Sequence, residues 1–192
     1  RRHRGTGYDR RLALFVTFEG IEGSGKSTHL RHLVAHLRAT GRDVVETREP
    51  GGTPAGAHVR RLLLGEEAVP LVPIAELLLY CADRAQHLAE VVRPALAAGR
   101  IVVCDRFSDS TVAYQGHGRR LDLATIRALD AHTRGDLTPH LTFLLDCPVI
   151  EGLTRARSRG PADRFEREAV EFHERVRAGF LAAADAAVVR AA

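Results

Sequence analysis

Nine residues near the start of the chain, GIEGSGKST at 20–28, constrain the fold more than any other stretch. Their Gly-x4-Gly-Lys-Ser spacing is that of a phosphate-binding P-loop, and it is specific only where a strand precedes it and a helix follows. The run LALFVTFE at 12–19 is almost continuously apolar, as a strand covered on both faces would be. After the loop, apolar residues recur at the spacing of one helix face: Leu30, Leu33, Val34 and Leu37. The sequence therefore predicts a strand, a phosphate loop and a helix that ends near Gly41.

The rest of the chain alternates short β-rich runs with helical patterns, which is typical of a parallel α/β sheet flanked by helices. About five strands are predicted, at 12–19, 44–48, 101–105, 141–146 and, as a candidate, VVRAA at 188–192. Helical patterns occupy roughly 55–64 and 74–98. Asp105 and Asp146 each end a predicted strand at the carboxyl edge, where open α/β sheets bind their ligands.

Composition indicates a single domain over 12–192, preceded by a basic flexible arm at 1–11. No apolar run approaches the ~20 residues of a membrane span, so we expect no membrane partner. Three widely spaced cysteines favour reduced core thiols and a cytoplasmic location: Cys81, Cys104 and Cys147. The net charge of +4 suits either a phosphate-rich small substrate or nucleic acid. No nucleic-acid motif with interleaved aromatic residues occurs, so we expect no nucleic-acid partner, although a basic nucleic-acid binder stays a third hypothesis.

The loop predicts a set of phosphate contacts through backbone N–H groups and the helix N-terminus. The predicted loop ligands are Gly20, Ile21, Glu22, Gly23, Ser24, Gly25, Lys26, Ser27 and Thr28. The side chain of Thr28 is expected to pack or cap rather than bind. Lys26 should reach the outer phosphates, and Ser27 should ligate magnesium. After the third strand, Asp105 could hold a magnesium-bound water and Arg106 could point at phosphates; an Asp–Arg ion pair that closes the strand is the alternative.

Two further charged features bear on phosphate chemistry: an arginine-rich segment and the carboxylate of Glu22. In LTRARSRGPADRFERE at 153–168, Arg155 and Arg159 share a helix face, and Gly160-Pro161 interrupts the helix beside them. The segment could therefore close as a lid that excludes water, or form a solvated basic helix face. Glu22 is a carboxylate among phosphate-binding amides, so it needs a donor such as a substrate hydroxyl, unless it simply faces solvent.

Five ordered motifs resemble those of thymidylate kinases, from about Phe15 to about Leu181. They are the loop, TREPGGT at 47–53, LLLYCADRAQH at 77–87, DRFSDSTVAYQG at 105–116 and RARSRGPADRFE at 155–166. The resemblance implies a P-loop fold of the nucleoside-monophosphate-kinase kind, with ATP and dTMP as substrates and Mg²⁺ as cofactor. It implies transfer of the γ-phosphoryl of ATP to dTMP, which we expect to be in line and without a covalent intermediate. It also implies a homodimer.

The resemblance assigns residues around the acceptor base and sugar. Tyr80 stands where the family usually has a Phe stacked on thymine, and Arg84 matches the arginine that hydrogen-bonds the base. Thr111 and Gln115 match residues around the base. Tyr114 lies against the sugar, where a ring would disfavour a ribonucleotide. The additional hydroxyl of Tyr80 needs a partner or water.

The resemblance also assigns residues to the phosphates, the nucleotide side and the sugar hydroxyl. Glu49 is implied on the nucleotide side, Arg60 near the acceptor phosphate, and Arg106 as a bridge between donor and acceptor phosphates. Glu22 matches the carboxylate that meets the sugar 3′-hydroxyl. The implied catalytic set is Lys26, Arg106, Glu22, Arg155 and Arg159.

The loop contains no arginine and the predicted lid is rich in arginine, which resembles the bacterial arrangement of the family. The family also has a C-terminal helix after its last strand, which we expect this chain to lack. Two further hypotheses stay open at this point. One is a P-loop kinase for another nucleotide, and the other is a nucleotide-binding regulatory module without turnover.

Overall fold

A computed structural model of the chain describes residues 13–65, 70–158 and 163–188, with side chains as far as residue 185 in the last range. Three sequence predictions lie outside these residues: the basic arm at 1–11, the role of Arg159, and the interruption at Gly160-Pro161.

The described residues form one sheet of four parallel strands. The strands are β1 (Leu14–Glu19), β2 (Val44–Arg48), β3 (Ile101–Asp105) and β4 (Leu141–Leu144), in the order β2-β3-β1-β4. The register pairs Phe18 of β1 and Arg48 of β2 with Asp105 of β3. The carboxyl ends of these three strands therefore meet at one edge, and the predicted parallel α/β sheet is confirmed.

In the part of the chain that the structure describes, eight α-helices flank this sheet. They are α1 (Lys26–Ala39), α2 (Pro54–Leu64), α3 (Pro73–His87), α4 (Arg93–Ala97), α5 (Ser108–Thr111), α6 (Leu123–Arg134), α7 (Val149–Arg157) and α8 (Val170–Val188). Side chains cap two of them, because Thr53 Oγ1 accepts from Gly56 N at 2.9 Å and Asp122 accepts from Thr125 N at 2.8 Å.

Two short π-helical segments join α-helices. Leu88–Val92 lies between α3 and α4, and Val112–Gly118 follows α5. The sequence predicted one helix over 74–98, and the observed path differs only by the first of these segments. Pro94 has no N–H to offer the preceding turn, which accounts for a wider hydrogen-bonding turn just before it.

The predicted fifth strand is wrong at its first residue, because Val188 ends α8. The rest of that prediction, 189–192, lies outside the described residues. Three α8 side chains at helical spacing, Phe172, Val176 and Phe180, are buried against the same core cluster as Tyr114. This packing favours a helix over the local β propensity of the valines.

The core lies on both faces of the central strands. β1 and β3 are almost fully buried, as their continuous apolar sequences predicted. The prediction of reduced core thiols agrees with the structure, since Cys81, Cys104 and Cys147 are all buried and unpaired. No described helix combines the length and the apolar character that a membrane span requires.

Candidate active site

The phosphate loop lies between β1 and α1, as the sequence predicted. Gly20, Gly23 and Gly25 have positive φ angles of 136°, 70° and 97°, which other residues rarely adopt. A Cβ on Gly20 would lie 2.3 Å from the carbonyl oxygen of Leu145, and one on Gly23 would lie 1.9 Å from that of Gly152. The loop is therefore held tightly against the chain around α7, where only glycine fits.

Lys26 closes across this loop. Its Nζ donates to the carbonyl oxygens of Gly20 at 2.9 Å and Ile21 at 2.7 Å, and the side chain is buried. Burial, followed by the charge of Arg106, lowers the pKa of Lys26 to about 8. Phosphate oxygens would relieve that electrostatic cost, because they offer the ammonium group full negative charge.

The other loop residues divide between core and cleft. The side chain of Ile21 packs in the core cluster of Tyr114, so only its backbone belongs to the loop surface. The Oγ of Ser24 is buried without a described hydrogen-bond partner. Ser27 and Thr28 are exposed and line the cleft.

A cavity of about 290 Å³ lies in front of the loop. All eight residues that the sequence assigned to substrate binding line it, together with six of the nine predicted loop residues. Arg155 does not line the cavity: its guanidinium is exposed and donates to Glu151 Oε2 at 3.0 Å. Asp163, Phe165 and Glu166 come to the cavity from the described end of the predicted lid.

Arg106 joins the loop to the rest of the cavity. Its Nη1 donates to Gly20 O and to Ser110 Oγ, both at 3.0 Å, and its Nη2 donates to Glu22 Oε1 and to the Tyr114 hydroxyl, both at 3.2 Å. Burial alone would lower the pKa of Arg106, but Tyr114 and Glu22 outweigh it and raise the pKa. The ion pair of Arg106 is thus with Glu22, and the alternative pair with Asp105 is not formed.

Glu22 is turned inward. Its side chain is 12% exposed, and its Oε1 also accepts from the Tyr114 hydroxyl. Burial alone would raise the pKa of Glu22, but His173 and Arg106 lower it to about 2. Oε2 lies 3.5 Å from His173 Nδ1, the limit of a hydrogen bond, and has no closer described partner. The carboxylate is therefore ionised and has one oxygen available to a donor, as the sequence argument required.

Two buried residues that contribute to this arrangement were missed by sequence reasoning. His173 on α8 is one of them, and its Nδ1 lies 3.5 Å from Glu22 Oε2. Glu19, the last residue of β1, accepts from Phe107 N at 2.7 Å and from Ser110 Oγ at 2.6 Å, and Ser110 in turn contacts Arg106. A carboxylate that ends an otherwise apolar strand was the available signal for Glu19, whereas nothing in the sequence distinguishes His173.

Ser27 and Asp105, which both line the cavity, contact each other. Ser27 Oγ donates to Asp105 Oδ2 at 3.1 Å, and Asp105 Oδ1 is buried with no hydrogen-bond partner among the described residues. Hydroxyl and carboxylate oxygens are the ligands that Mg²⁺ prefers, so the two side chains fit a magnesium ion.

Arg84 forms the centre of a buried network on the acceptor side. Its Nε donates to Glu49 Oε2 at 2.9 Å, its Nη1 to Asp130 Oδ1 at 3.0 Å and its Nη2 to Thr111 Oγ1 at 2.8 Å. The second oxygen of Glu49 lies 2.9 Å from His87 Nδ1. Glu49 and Thr111 therefore orient Arg84 in this structure, and Asp130 and His87 are partners that the sequence did not predict.

Arg60 and Tyr80 complete that side of the cavity. Arg60 donates to Pro50 O at 2.9 Å and forms no described ion pair. Burial, followed by the charge of Arg48, lowers the pKa of Arg60, so an anion beside it would be stabilising. Burial raises the pKa of Tyr80, which keeps its phenol neutral.

The remaining predicted edge residue does not join the cavity. Asp146 follows β4 but accepts from Arg177 of α8 at 2.6 and 2.7 Å. Its interpretation as a ligand-binding residue at the sheet edge is therefore not supported, because both carboxylate oxygens bind the α8 guanidinium.

Comparison with known proteins shows what the chain is similar to. The family model described as Thymidylate kinase matches residues 18–191. A thymidylate kinase from Solidesulfovibrio magneticus is 54% identical over 184 residues, which cover 92% of this chain and 88% of that protein. One from Pseudomonas fluorescens is 56% identical over 172 residues, which cover 90% and 82%. A crystal structure of thymidylate kinase from Ehrlichia chaffeensis matches with a TM-score of 0.73 at 38% identity, covering 91% of this chain and 83% of that one.

Proposed function

Because this chain belongs to the thymidylate kinase family and catalyses the ATP-dependent phosphorylation of dTMP to dTDP, we propose a role for each part of its cavity. Loop residues 20–28 bind the phosphates of ATP, with Lys26 turning from its own loop carbonyls to the outer phosphates. The hypothesis of a nucleotide-binding module without turnover finds no support in the comparisons.

One observation carries the proposal: the guanidinium of Arg106 contacts the phosphate loop at Gly20 and, at the same time, Glu22 and Tyr114 on the acceptor side. A cation in that position lies between the two phosphate sites. There it would stabilise the charge that moves with the γ-phosphoryl as an acceptor phosphate oxygen attacks and the bond to ADP breaks. Ser110 and Glu22 hold the guanidinium in place before substrates arrive.

The acceptor nucleotide is held along the rest of the cavity. Glu22 Oε2 accepts from the sugar 3′-hydroxyl, while the ring of Tyr114 excludes a 2′-hydroxyl. Tyr80 stacks on the base, and Arg84, Thr111 and Gln115 read its edge. Arg60 binds the acceptor phosphate, which is consistent with its half-buried guanidinium that forms no ion pair among the described residues.

Magnesium belongs to the donor side in this proposal. Ser27 and Asp105 would hold it, in line with the unsatisfied buried oxygen of Asp105. When bound, the ion neutralises phosphate charge. The lid arginines Arg155 and Arg159 add positive charge when the segment closes, and Arg155 would have to leave its exposed pair with Glu151.

We extend the proposal to a homodimer in the cytoplasm. Four apolar side chains on α2, on α3 or at the start of α3 are exposed: Leu62, Val72, Ile74 and Leu78. A second copy that covers them would remove this apolar surface from water. Unpaired buried thiols support a reducing compartment.

The experiment that tests the proposal pairs a residue change with a substrate change. The kcat/KM of the wild type should favour dTMP over 3′-deoxy-dTMP by about tenfold or more, as expected for a hydrogen bond to a charged group. Glu22→Gln should reduce that preference, while Glu171→Gln, an exposed carboxylate on α8, should keep it. An undiminished preference in Glu22→Gln would show that Glu22 does not bind the 3′-hydroxyl.

A further inference from the structure

Glu76 on α3 is fully buried, and the proposed function gives it no contact with either nucleotide. Its Oε1 accepts from Gln115 Nε2 at 2.8 Å and from Arg119 Nε at 3.2 Å. Its Oε2 accepts from Arg164 Nη2, in the described end of the predicted lid. One carboxylate thus connects a cavity-lining glutamine with the described end of the predicted lid.

This contact fixes which end of the Gln115 amide enters the cavity. A carboxylate between donors can only accept hydrogen bonds, so Gln115 must turn its amide nitrogen toward Glu76. No hydrogen bond among the described residues reaches the amide oxygen of Gln115, and Gln115 lines the cavity. The group that Gln115 offers to a ligand is therefore an acceptor.

Two guanidiniums beside Glu76 favour a carboxylate that accepts hydrogen bonds. Arg119 and Arg164 both form ion pairs with it, and Arg119 also donates to Glu168 at 2.5 Å. The two guanidiniums pack over the ring of Phe165, at 5.3 Å and 5.1 Å from its centroid. Ion pairs on both oxygens offset the cost of burying this carboxylate.

Arg84, the other side chain proposed to contact the base, has the opposite hydrogen-bonding character to Gln115. Arg84 carries donors only, and its partner Thr111 lies one helical turn before Gln115. Thymine and uracil present a carbonyl acceptor at position 4 beside an N–H donor at position 3. Cytosine presents an amino donor at position 4 beside an unprotonated nitrogen acceptor at position 3. A fixed donor beside a fixed acceptor thus complements thymine and uracil and mismatches cytosine at both positions.

We propose that Glu76 is a specificity-determining positioning residue: it orients the Gln115 amide so that the cavity accepts a base with an N3–H and rejects cytosine. This inference rests on the proposed placement of the base against Arg84 and Gln115. It adds Glu76 as the residue that sets the hydrogen-bond polarity of the contact between Gln115 and the base. Through Arg164, it also links base recognition to the described end of the predicted lid.

The test compares three substitutions at Glu76 with three acceptors. Glu76→Met removes the acceptor and lets the amide turn, so the kcat/KM preference for dTMP over dCMP should fall by on the order of tenfold. The preference for dTMP over dUMP should stay unchanged, since both bases carry N3–H. Glu76→Asp and Glu76→Gln retain an acceptor oxygen for Gln115 and should keep the dCMP preference. A general structural defect would instead alter all acceptors alike.

Glu168→Gln is the matched control, because it changes the other carboxylate of Arg119 without touching Gln115. It should keep the dTMP to dCMP ratio of the wild type. If Glu76→Met keeps that ratio as well, the inference is overturned.

Two measurements separate the possible failures. If thermal melting shows that Glu76→Met does not fold, neutron diffraction of the wild type with dTMP locates the Gln115 amide deuterons directly. Deuterons toward Glu76 support the inference, and deuterons toward the base overturn it. Gln115→Ala tests the underlying proposal: an unchanged dCMP preference there would remove Gln115 from base reading. Loss of preference in Gln115→Ala but not in Glu76→Met would refute the role of Glu76 alone.

Discussion

Arg106 combines an unusual backbone with a fully engaged side chain. Its φ of 73° lies in the left-handed region that few residues other than glycine adopt. Such a conformation costs on the order of 1–3 kcal/mol and persists where the surroundings determine it. Contacts to Gly20, Ser110, Glu22 and Tyr114 supply that determination. The motif predicted where Arg106 would act, whereas the backbone conformation that directs it follows only from the folded loop.

Glu19 supports a prediction of pH dependence. Burial, with a contribution from Asp109, raises the pKa of Glu19 from 4.5 to about 8. Between these values the folded protein holds a proton that the unfolded chain has lost, so the stability contributed by Glu19 declines as pH rises through this window. Glu19→Gln stays neutral and should remove that slope from urea midpoints measured between pH 5 and pH 8.

The control for this prediction is Glu171→Gln, which changes an exposed carboxylate and should keep the slope of the wild type. Equal slopes in wild type and Glu19→Gln would mean that Glu19 is ionised in the folded protein over this range.

Residue-level sequence reasoning predicted positions where a motif fixes them and missed partners that only tertiary contacts bring together. The spacing of the loop located Lys26 and Ser27 without further information. Arg84 lines the cavity, but its partner Asp130 comes from a distant helix with no motif of its own. Partners of this kind are set by tertiary contacts, which a single sequence does not display.

The element that most determines the acceptor side is the contact between α8 and the π-helical segment Val112–Gly118. A Cβ on Gly118 would lie 2.6 Å from Phe172, so the two elements approach at the limit of contact. The same segment carries Tyr114 and Gln115, and α8 carries His173. Helix α8 therefore positions residues of the cavity although it contributes none of the predicted ligands.

A substitution at Gly179 of α8 tests this packing. A Cβ there would lie 2.8 Å from the His117 ring, close to the root of that side chain. Gly179→Ala should therefore lower the free energy of unfolding by about 1–3 kcal/mol, although alanine is the better helix former. Chemical denaturation of the purified variant measures it.

The double variant Gly179→Ala/His117→Ala should recover most of the loss, because the clash is with the imidazole. A stabilised single variant, as expected for a helix position with open space, would contradict the packing described here.

The strands and helices that could be predicted are those that a local pattern of apolar residues determines. The sequence placed β2 and β3 at their observed bounds and α1 within a few residues, because buried strands and amphipathic helices have distinct periods. The strand predicted at 188–192 was wrong at Val188, which ends α8, because β propensity is a weak signal where a helix is already packed on the core. The π-helical segments had no sequence signal beyond Pro94.

At the scale of the whole molecule, the topology gathers the site. The loop follows β1, Glu49 follows β2 and Arg106 follows β3, and these strands are neighbours in the order β2-β3-β1. Loops at the carboxyl ends of adjacent parallel strands converge on one cleft, which is where the cavity lies. Sequence segments separated by more than 80 residues, such as Glu22 and Arg106, therefore meet through sheet order alone.

The proposed dimer makes a prediction at the same scale. Leu78 on α3 is 49% exposed within the apolar face, so Leu78→Glu should place charge in the interface. Sedimentation should give the wild type about twice the chain mass of 21.0 kDa and the variant the mass of one chain. Leu181→Glu on α8 is the control and should leave the dimer intact. A monomeric wild type would contradict the proposal.

The most direct test of the account is the rate of ADP formation from ATP, Mg²⁺ and dTMP by the wild type and by Lys26→Ala. Among the described residues, Lys26 Nζ donates hydrogen bonds only to carbonyl oxygens of its own loop, so alanine should preserve the fold, as judged by circular dichroism and thermal melting. We predict rapid dTMP-dependent ADP formation by the wild type and a fall of at least about 1000-fold in the variant, because phosphoryl transfer depends on positioned positive charge. A well-folded Lys26→Ala variant with turnover close to that of the wild type would contradict the account.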